Sequence, residues 1–165
     1  MNIILYEFAL MNLFYLLDYS DYLYWNGSTY SVGDTNITLG GFAGQTNQNS
    51  YAVAIGYNAG NISQGSSSVA IGNSAGRTNQ QSQAIAIGVS SGTINQSNDT
   101  VAIGFVAGYQ YQQQYGIAIG YNAGSISQQF GAISIGIQAG QNLQGQSAVS
   151  IGNQAAQNSQ GAYSI

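Results

Sequence analysis

The chain has no proline, no cysteine and no histidine, and only 4% of its 165 residues are charged. Without cysteine there are no disulfides, so it is no stapled secreted mini-domain. Without cysteine or histidine it lacks the common ligand sets of zinc, haem and iron–sulfur sites. One Lys+Arg stands against five Asp+Glu, for a formal net charge of −4. Arg77 is the only cationic side chain, so nothing can neutralise a phosphate backbone, and nucleic acid is excluded as a partner. The usual bases and activated nucleophiles are missing too, so the chain reads as non-enzymatic and without a cofactor. Charge normally keeps soluble monomers apart. A surface this neutral implies that much of it is hidden in a specific assembly.

The few charges divide the chain. Glu7, Asp18, Asp21 and Asp34 lie in the first 34 residues, and only Arg77 and Asp99 follow. Residues 1–25 are apolar and aromatic, running from Tyr6 and Phe8 to Tyr24 and Trp25. They are not a secretory signal, because a basic start is missing and Glu7 interrupts the apolar run. Residues 3–17 are apolar nearly all round, which predicts a buried helix that caps the chain and docks in another structural protein. Membrane anchoring is the alternative, cued by the Tyr/Trp belt from Tyr15 to Trp25. Residues 26–36 read as a polar connection. Asp18 and Asp21 read as a solvated helix end rather than a catalytic pair.

Residues 37–165 are a repeat of period 16. Its marker is Leu39, then Ile55, Ile71, Ile87, Ile103, Ile119, Ile135 and Ile151, each followed by glycine: Gly40, Gly56, Gly72, Gly88, Gly104, Gly120, Gly136 and Gly152. Two residues earlier stands a β-branched aliphatic: Ile37, Val53, Val69, Ile85, Val101, Ile117, Ile133 or Val149. Nine residues later stands a glutamine: Gln48, Gln64, Gln80, Gln96, Gln112, Gln128, Gln144 or Gln160. A period held without insertion or deletion marks a solenoid of stacked units.

Aliphatic, small, aliphatic is strand alternation. Sixteen residues with several glycines hold two short strands and two bends, one turn of a single-chain all-β solenoid of about eight coils. Stacked at the spacing of neighbouring strands, eight coils make a rod of roughly 38 Å. The expected core is the aliphatic column from Ile55 to Ile151, with Gly56 to Gly152 at the turns. The Gln column is expected to form an amide ladder, each side chain donating to the next. Between the aliphatics lie Thr38, Ala54, Ala70, Ala86, Ala102, Ala118, Ser134 and Ser150. On the outer face such small residues suit close approach of another backbone, so Ala54, Ala70, Ala86, Ala102 and Ala118 are the expected subunit interface. A second small column, Ala43 to Ala155, is a candidate for lining the interior. Two large aliphatics per coil bury about 4–5 kcal/mol, less than the ordering of sixteen residues demands, so a lone chain is marginal and an oligomer is expected.

The segments Ser68-Val69-Ala70-Ile71-Gly72 and Val101-Ala102-Ile103-Gly104 resemble the head repeats of YadA-like trimeric adhesins. The resemblance covers residues 35–165 and implies a left-handed parallel β-roll with three chains side by side. Bacterial heads often have shorter units, and residues 1–165 themselves read as neither a coiled-coil stalk nor a membrane barrel. Ile55-Gly56-Tyr57-Asn58-Ala59-Gly60 looks more like the versions in fibre proteins of large DNA viruses and phages. The resemblance therefore implies a structural protein: a homotrimeric β-roll fibre or spike on a virion surface, anchored by its N-terminal segment. The alternative is an extracellular cell-surface adhesin module that binds a host receptor or glycan, for which Tyr57, Phe105 and Tyr121 share one column as an aromatic patch. An ice-binding array is disfavoured, because the column Thr46, Ile62, Thr78, Ile94, Gln110, Ile126, Asn142, Asn158 is too mixed. Sequons at Asn26, Asn36, Asn61, Asn95 and Asn98 are expected by chance in so Asn- and Ser-rich a chain. Ile165 falls at the first aliphatic position of a ninth coil, which suggests a longer chain or a protein covering that edge.

Overall fold

A computed structural model describes residues 22–25, 28–33 and 35–165. The helix expected over residues 3–17 lies outside the described residues. The chain divides into two units, Met1–Thr35 and Asn36–Ile165. In the first unit, β1 (Leu23–Trp25) pairs antiparallel with β2 (Tyr30–Val32), Leu23 opposite Val32 and Trp25 opposite Tyr30. Gly33 N donates to Tyr22 O at 2.7 Å and extends the pair. Strand β2 therefore lies within the stretch expected to be a polar connection.

The second unit is a parallel β-solenoid of eight coils, each with two strands of three residues. The first coil holds β3 (Ile37–Leu39) and β4 (Thr46–Gln48), and the pattern runs on to β17 (Val149–Ile151) and β18 (Asn158–Gln160). The odd strands from β3 to β17 form one eight-stranded sheet and the even strands from β4 to β18 the other. Register is one coil throughout: Val69, Ala70 and Ile71 stand opposite Ile85, Ala86 and Ile87.

The strands are short because each coil turns through positive φ five times. In the third coil these residues are Gly72 (128°), Ser74 (57°), Gly76 (52°), Asn79 (55°) and Gln83 (60°). Four lie in the left-handed helical region, where Gly and Asn are least penalised, which accounts for part of the chain's Gly and Asn content. Asn79 sits in the middle of its strand, so Thr78 and Gln80 pair with the next coil while Asn79 does not. The glycine column from Gly40 to Gly152 has φ between 124° and 131°. A Cβ on Gly104 would also lie 2.5 Å from the carbonyl oxygen of Gly120 in the next coil. That column is glycine on two independent grounds, backbone angle and stacking distance.

The interior reverses the expectation drawn from hydrophobicity. In the strands Val53–Ile55, Val69–Ile71, Ile85–Ile87, Val101–Ile103 and Ile117–Ile119 the middle residue is buried and both aliphatics are only half-buried. Ala54, Ala70, Ala86, Ala102 and Ala118 are fully buried inside the coil. They are core, not a subunit interface. Ile55, Ile71, Ile87, Ile103, Ile119, Ile135 and Ile151 look outward and are not the coil core. The inward columns are those alanines, the second small column (Ala59, Ala75, Ser91, Ala107, Ala123, Ala139), a third of Ala52, Ser68, Ala84, Thr100, Gly116, Ala132 and Ala148, and the glutamines.

The physical reason is space. A coil of sixteen residues encloses a narrow channel, and the glutamine fills most of it. A Cβ on Gly108 would lie 2.7 Å from Gln112 Oε1 and 3.0 Å from the Ala102 Cβ. No second long side chain fits beside the amide, so the column facing it is Ala or Ser, with Thr38 in the first coil.

Candidate functional site

The buried glutamines form the ladder expected of them, and they do more. Gln112 Nε2 donates to Gln128 Oε1 at 3.0 Å, and also to the carbonyl oxygens of Val101 and Gly116, each at 2.9 Å. Two amide hydrogens are thus shared among three acceptors. The same Nε2-to-Oε1 link joins Gln48 to Gln64, Gln80 to Gln96, Gln96 to Gln112, Gln128 to Gln144 and Gln144 to Gln160. Gln64 instead donates to Val53 O, and Gln80 Oε1 is buried with no partner. Each glutamine therefore closes its own coil by capping an inward-facing carbonyl, and most also tie that coil to the next. A buried polar group left unpaired is costly, so a column of glutamines is favoured only when continuous.

The outward side of the odd-strand sheet is an apolar face of the solenoid. Two aliphatic columns run its length, Ile37 to Val149 and Leu39 to Ile151, half-buried or exposed throughout. Beside them lie Tyr57, Val89, Phe105, Tyr121 and Ile137, each 45–53% exposed. Charge is absent from this face, because among the described residues only Arg77 and Asp99 carry it, and both lie outside these columns.

The aromatic column expected from Tyr57, Phe105 and Tyr121 divides in two. Phe105 and Tyr121, from adjacent coils, stack with centroids 5.4 Å apart and planes 10° apart. Tyr57 stands edge-on to Phe42 at 5.7 Å, since Asn73 and Val89 separate it from Phe105 in the column. Sequence reading missed a third pair, Tyr115 and Phe130, at the bend that leads back to the aliphatic strand (5.3 Å, 86°). Their offset of fifteen residues hid them from a search at sixteen.

The sequon asparagines have structural partners. Asn36 Oδ1 accepts from Ala52 N at 3.2 Å, Asn98 Oδ1 from Ser82 N at 3.1 Å, and Asn95 Oδ1 from Asn79 Nδ2 at 3.0 Å. Asn61 Nδ2 donates to Phe42 O at 2.9 Å. Asn26 lies outside the described residues.

No family model matches this chain, and neither does any curated protein or solved structure. The fold stands as a parallel β-solenoid of about eight turns with 16-residue coils, consistent with a structural repeat protein.

Proposed function

We propose that the chain is a non-enzymatic structural protein, a homotrimeric β-roll rod that forms a fibre or spike on a virion surface. The observation that carries this reading is the aliphatic side of the odd-strand sheet. Eight rungs at the strand spacing, two aliphatic columns wide, make an apolar patch of roughly 34 by 10 Å, on the order of 350 Å² before the flanking aromatics are added. A patch of that size and shape calls for an equally long, equally apolar partner, and a second and third copy in the same register supply one. The interface moves accordingly from the buried alanines to the Val/Ile columns. The resemblance of the Val-Ala-Ile-Gly tetrads to YadA-like heads supports three copies, and the form of the Tyr57-Asn58-Ala59-Gly60 segment supports a virion over a bacterial cell surface.

The rod works mechanically. Backbone ladders on two sheets and an amide ladder between them resist bending, so whatever the rod carries is held away from its base. Residues 1–25 would supply the anchor, docked in another structural protein or in a membrane.

Sedimentation equilibrium on the purified chain tests the assembly: three times the 17.2 kDa chain mass supports it, and a monomer at all concentrations overturns it. Immunogold labelling of particles tests the location, and gold confined to structures other than virions overturns that part.

A further inference from the structure

We propose that the bend shared by the fifth and sixth coils binds a neutral carbohydrate, a role that goes beyond the rod and does not depend on its copy number. Inside the solenoid there is room for Ala, Ser, Thr, Gly and a single Gln per coil, so every large ring of residues 36–165 stands at the surface. Tyr115 and Phe130 come from adjacent coils and meet edge to face, 5.3 Å apart with planes at 86°. They are 51% and 43% exposed. Two rings at right angles turn their faces in two directions and make an aromatic corner rather than a closed stack.

Polar side chains next to Tyr115 and Phe130 in the chain are held in place. Gln113 Nε2 donates to Gln129 Oε1 at 2.9 Å, and Gln114 Nε2 to Asp99 Oδ2 at 3.2 Å. Gln113 Oε1 and the Gln129 NH2 group make no further hydrogen bond, which leaves one acceptor two residues before Tyr115 and one donor on the residue before Phe130. A pyranose presents an apolar face of C–H bonds and a rim of hydroxyls that both donate and accept. Ring faces suit the first, and paired amides with one carboxylate suit the second. The charge is also informative. Asp99 is the only ionised group at these bends, and the sole cation of the solenoid, Arg77, is two coils from Tyr115. Nothing there would hold a sialic acid, a phosphate or a sulfate.

What distinguishes Tyr115 within its column is the neighbouring ring. Tyr115 has φ of 63°, an angle that favours Gly and Asn, and the same place in other coils holds Tyr51, Ser67, Gln83, Asp99, Gly131, Ser147 and Tyr163. Tyr51 and Tyr163 also occupy it, but neither has a ring beside it among the described residues.

The test is saturation-transfer NMR on the full chain with maltohexaose, cellohexaose, chitohexaose and 6′-sialyllactose at millimolar concentration. At least one neutral oligosaccharide should bind, and sialyllactose should not exceed it. Tyr115→Ser and Phe130→Ser should each weaken that binding by about tenfold or more. Both place at the bend a residue type that the second coil already carries there, Ser66 and Ser67, so the fold should stand. Tyr163→Ser, at the same bend position three coils on and without a ring beside it, should leave binding unchanged. Failure of all three neutral probes, preference for the sialylated one, or full binding by both variants would overturn the proposal.

Discussion

Gln112 Nε2 lies 3.0 Å from Gln128 Oε1, sixteen residues on, in a channel whose other inward columns are mostly alanine. The fold rests on this pairing of a long amide with minimal neighbours. Replacing Gln112 by Leu removes the donor to two buried carbonyls and to the next amide. The expected loss is about 2–4 kcal/mol, read as a lower urea midpoint. Gln113→Leu removes a bond of almost equal length, Gln113 to Gln129, but an exposed one, and should shift the midpoint by less than about 1 kcal/mol. Equal effects would mean that the ladder does not hold the coils together.

The two glycine classes should separate cleanly. Gly104→Ala meets both a φ of 131° and the Gly120 carbonyl, and should cost more than about 3 kcal/mol or prevent folding. Gly161→Ala meets nothing within 4 Å and has no positive φ, so it should be neutral or stabilise by about 0.4–1 kcal/mol. Thermal melting followed by circular dichroism distinguishes the two outcomes.

Leu143 occupies mid-strand with φ of 53° and is 57% exposed. Its column holds Asn47, Asn79 and Asn95 in other coils, residues that tolerate that angle. Leu143→Asn should therefore raise stability by about 0.5–1 kcal/mol, measured by the same melts. A loss instead would assign Leu143 to a buried contact between copies.

Neighbouring residues on opposite faces should respond in opposite ways. Ala102→Leu overfills the channel beside Gln112 and should unfold the coil at a cost of about 3 kcal/mol or more. Ile103→Ser should leave the secondary structure of the chain intact and weaken its assembly. Circular dichroism with sedimentation velocity reads both, and unfolding by Ile103→Ser alone would return the aliphatic column to the coil core.

The period, the coil length, the number of coils and the stacking register were all legible in the sequence, because each is a spacing. Val69 opposite Ile85 and Ile71 opposite Ile87 follow from counting sixteen. Which face of the strand points inward was not. Alternation defines two faces without saying which is inside, and hydrophobicity points to the wrong one when the channel is narrow. The signal was small size beside an unvarying glutamine: the interior column is Ala in five of its eight places and Thr or Ser in the rest. One outward column alternates between Ile and Val, and the other is Ile in seven of its eight places, so constancy alone did not mark the inside; the small size of the Ala column did. The aromatic corner at Tyr115 and Phe130 was illegible for a different reason, since adjacent coils contribute it from different repeat positions.

The chain has no cysteine, so one introduced thiol reports on one position alone. The most direct test of the account is oxidative cross-linking of Ile103→Cys and Ala102→Cys, read on a non-reducing gel. The account predicts a covalent dimer band from Ile103→Cys, because equivalent outward columns of different copies meet, and no such band from Ala102→Cys, whose side chain stays inside its own coil. A dimer from Ala102→Cys, with none from Ile103→Cys, would contradict it.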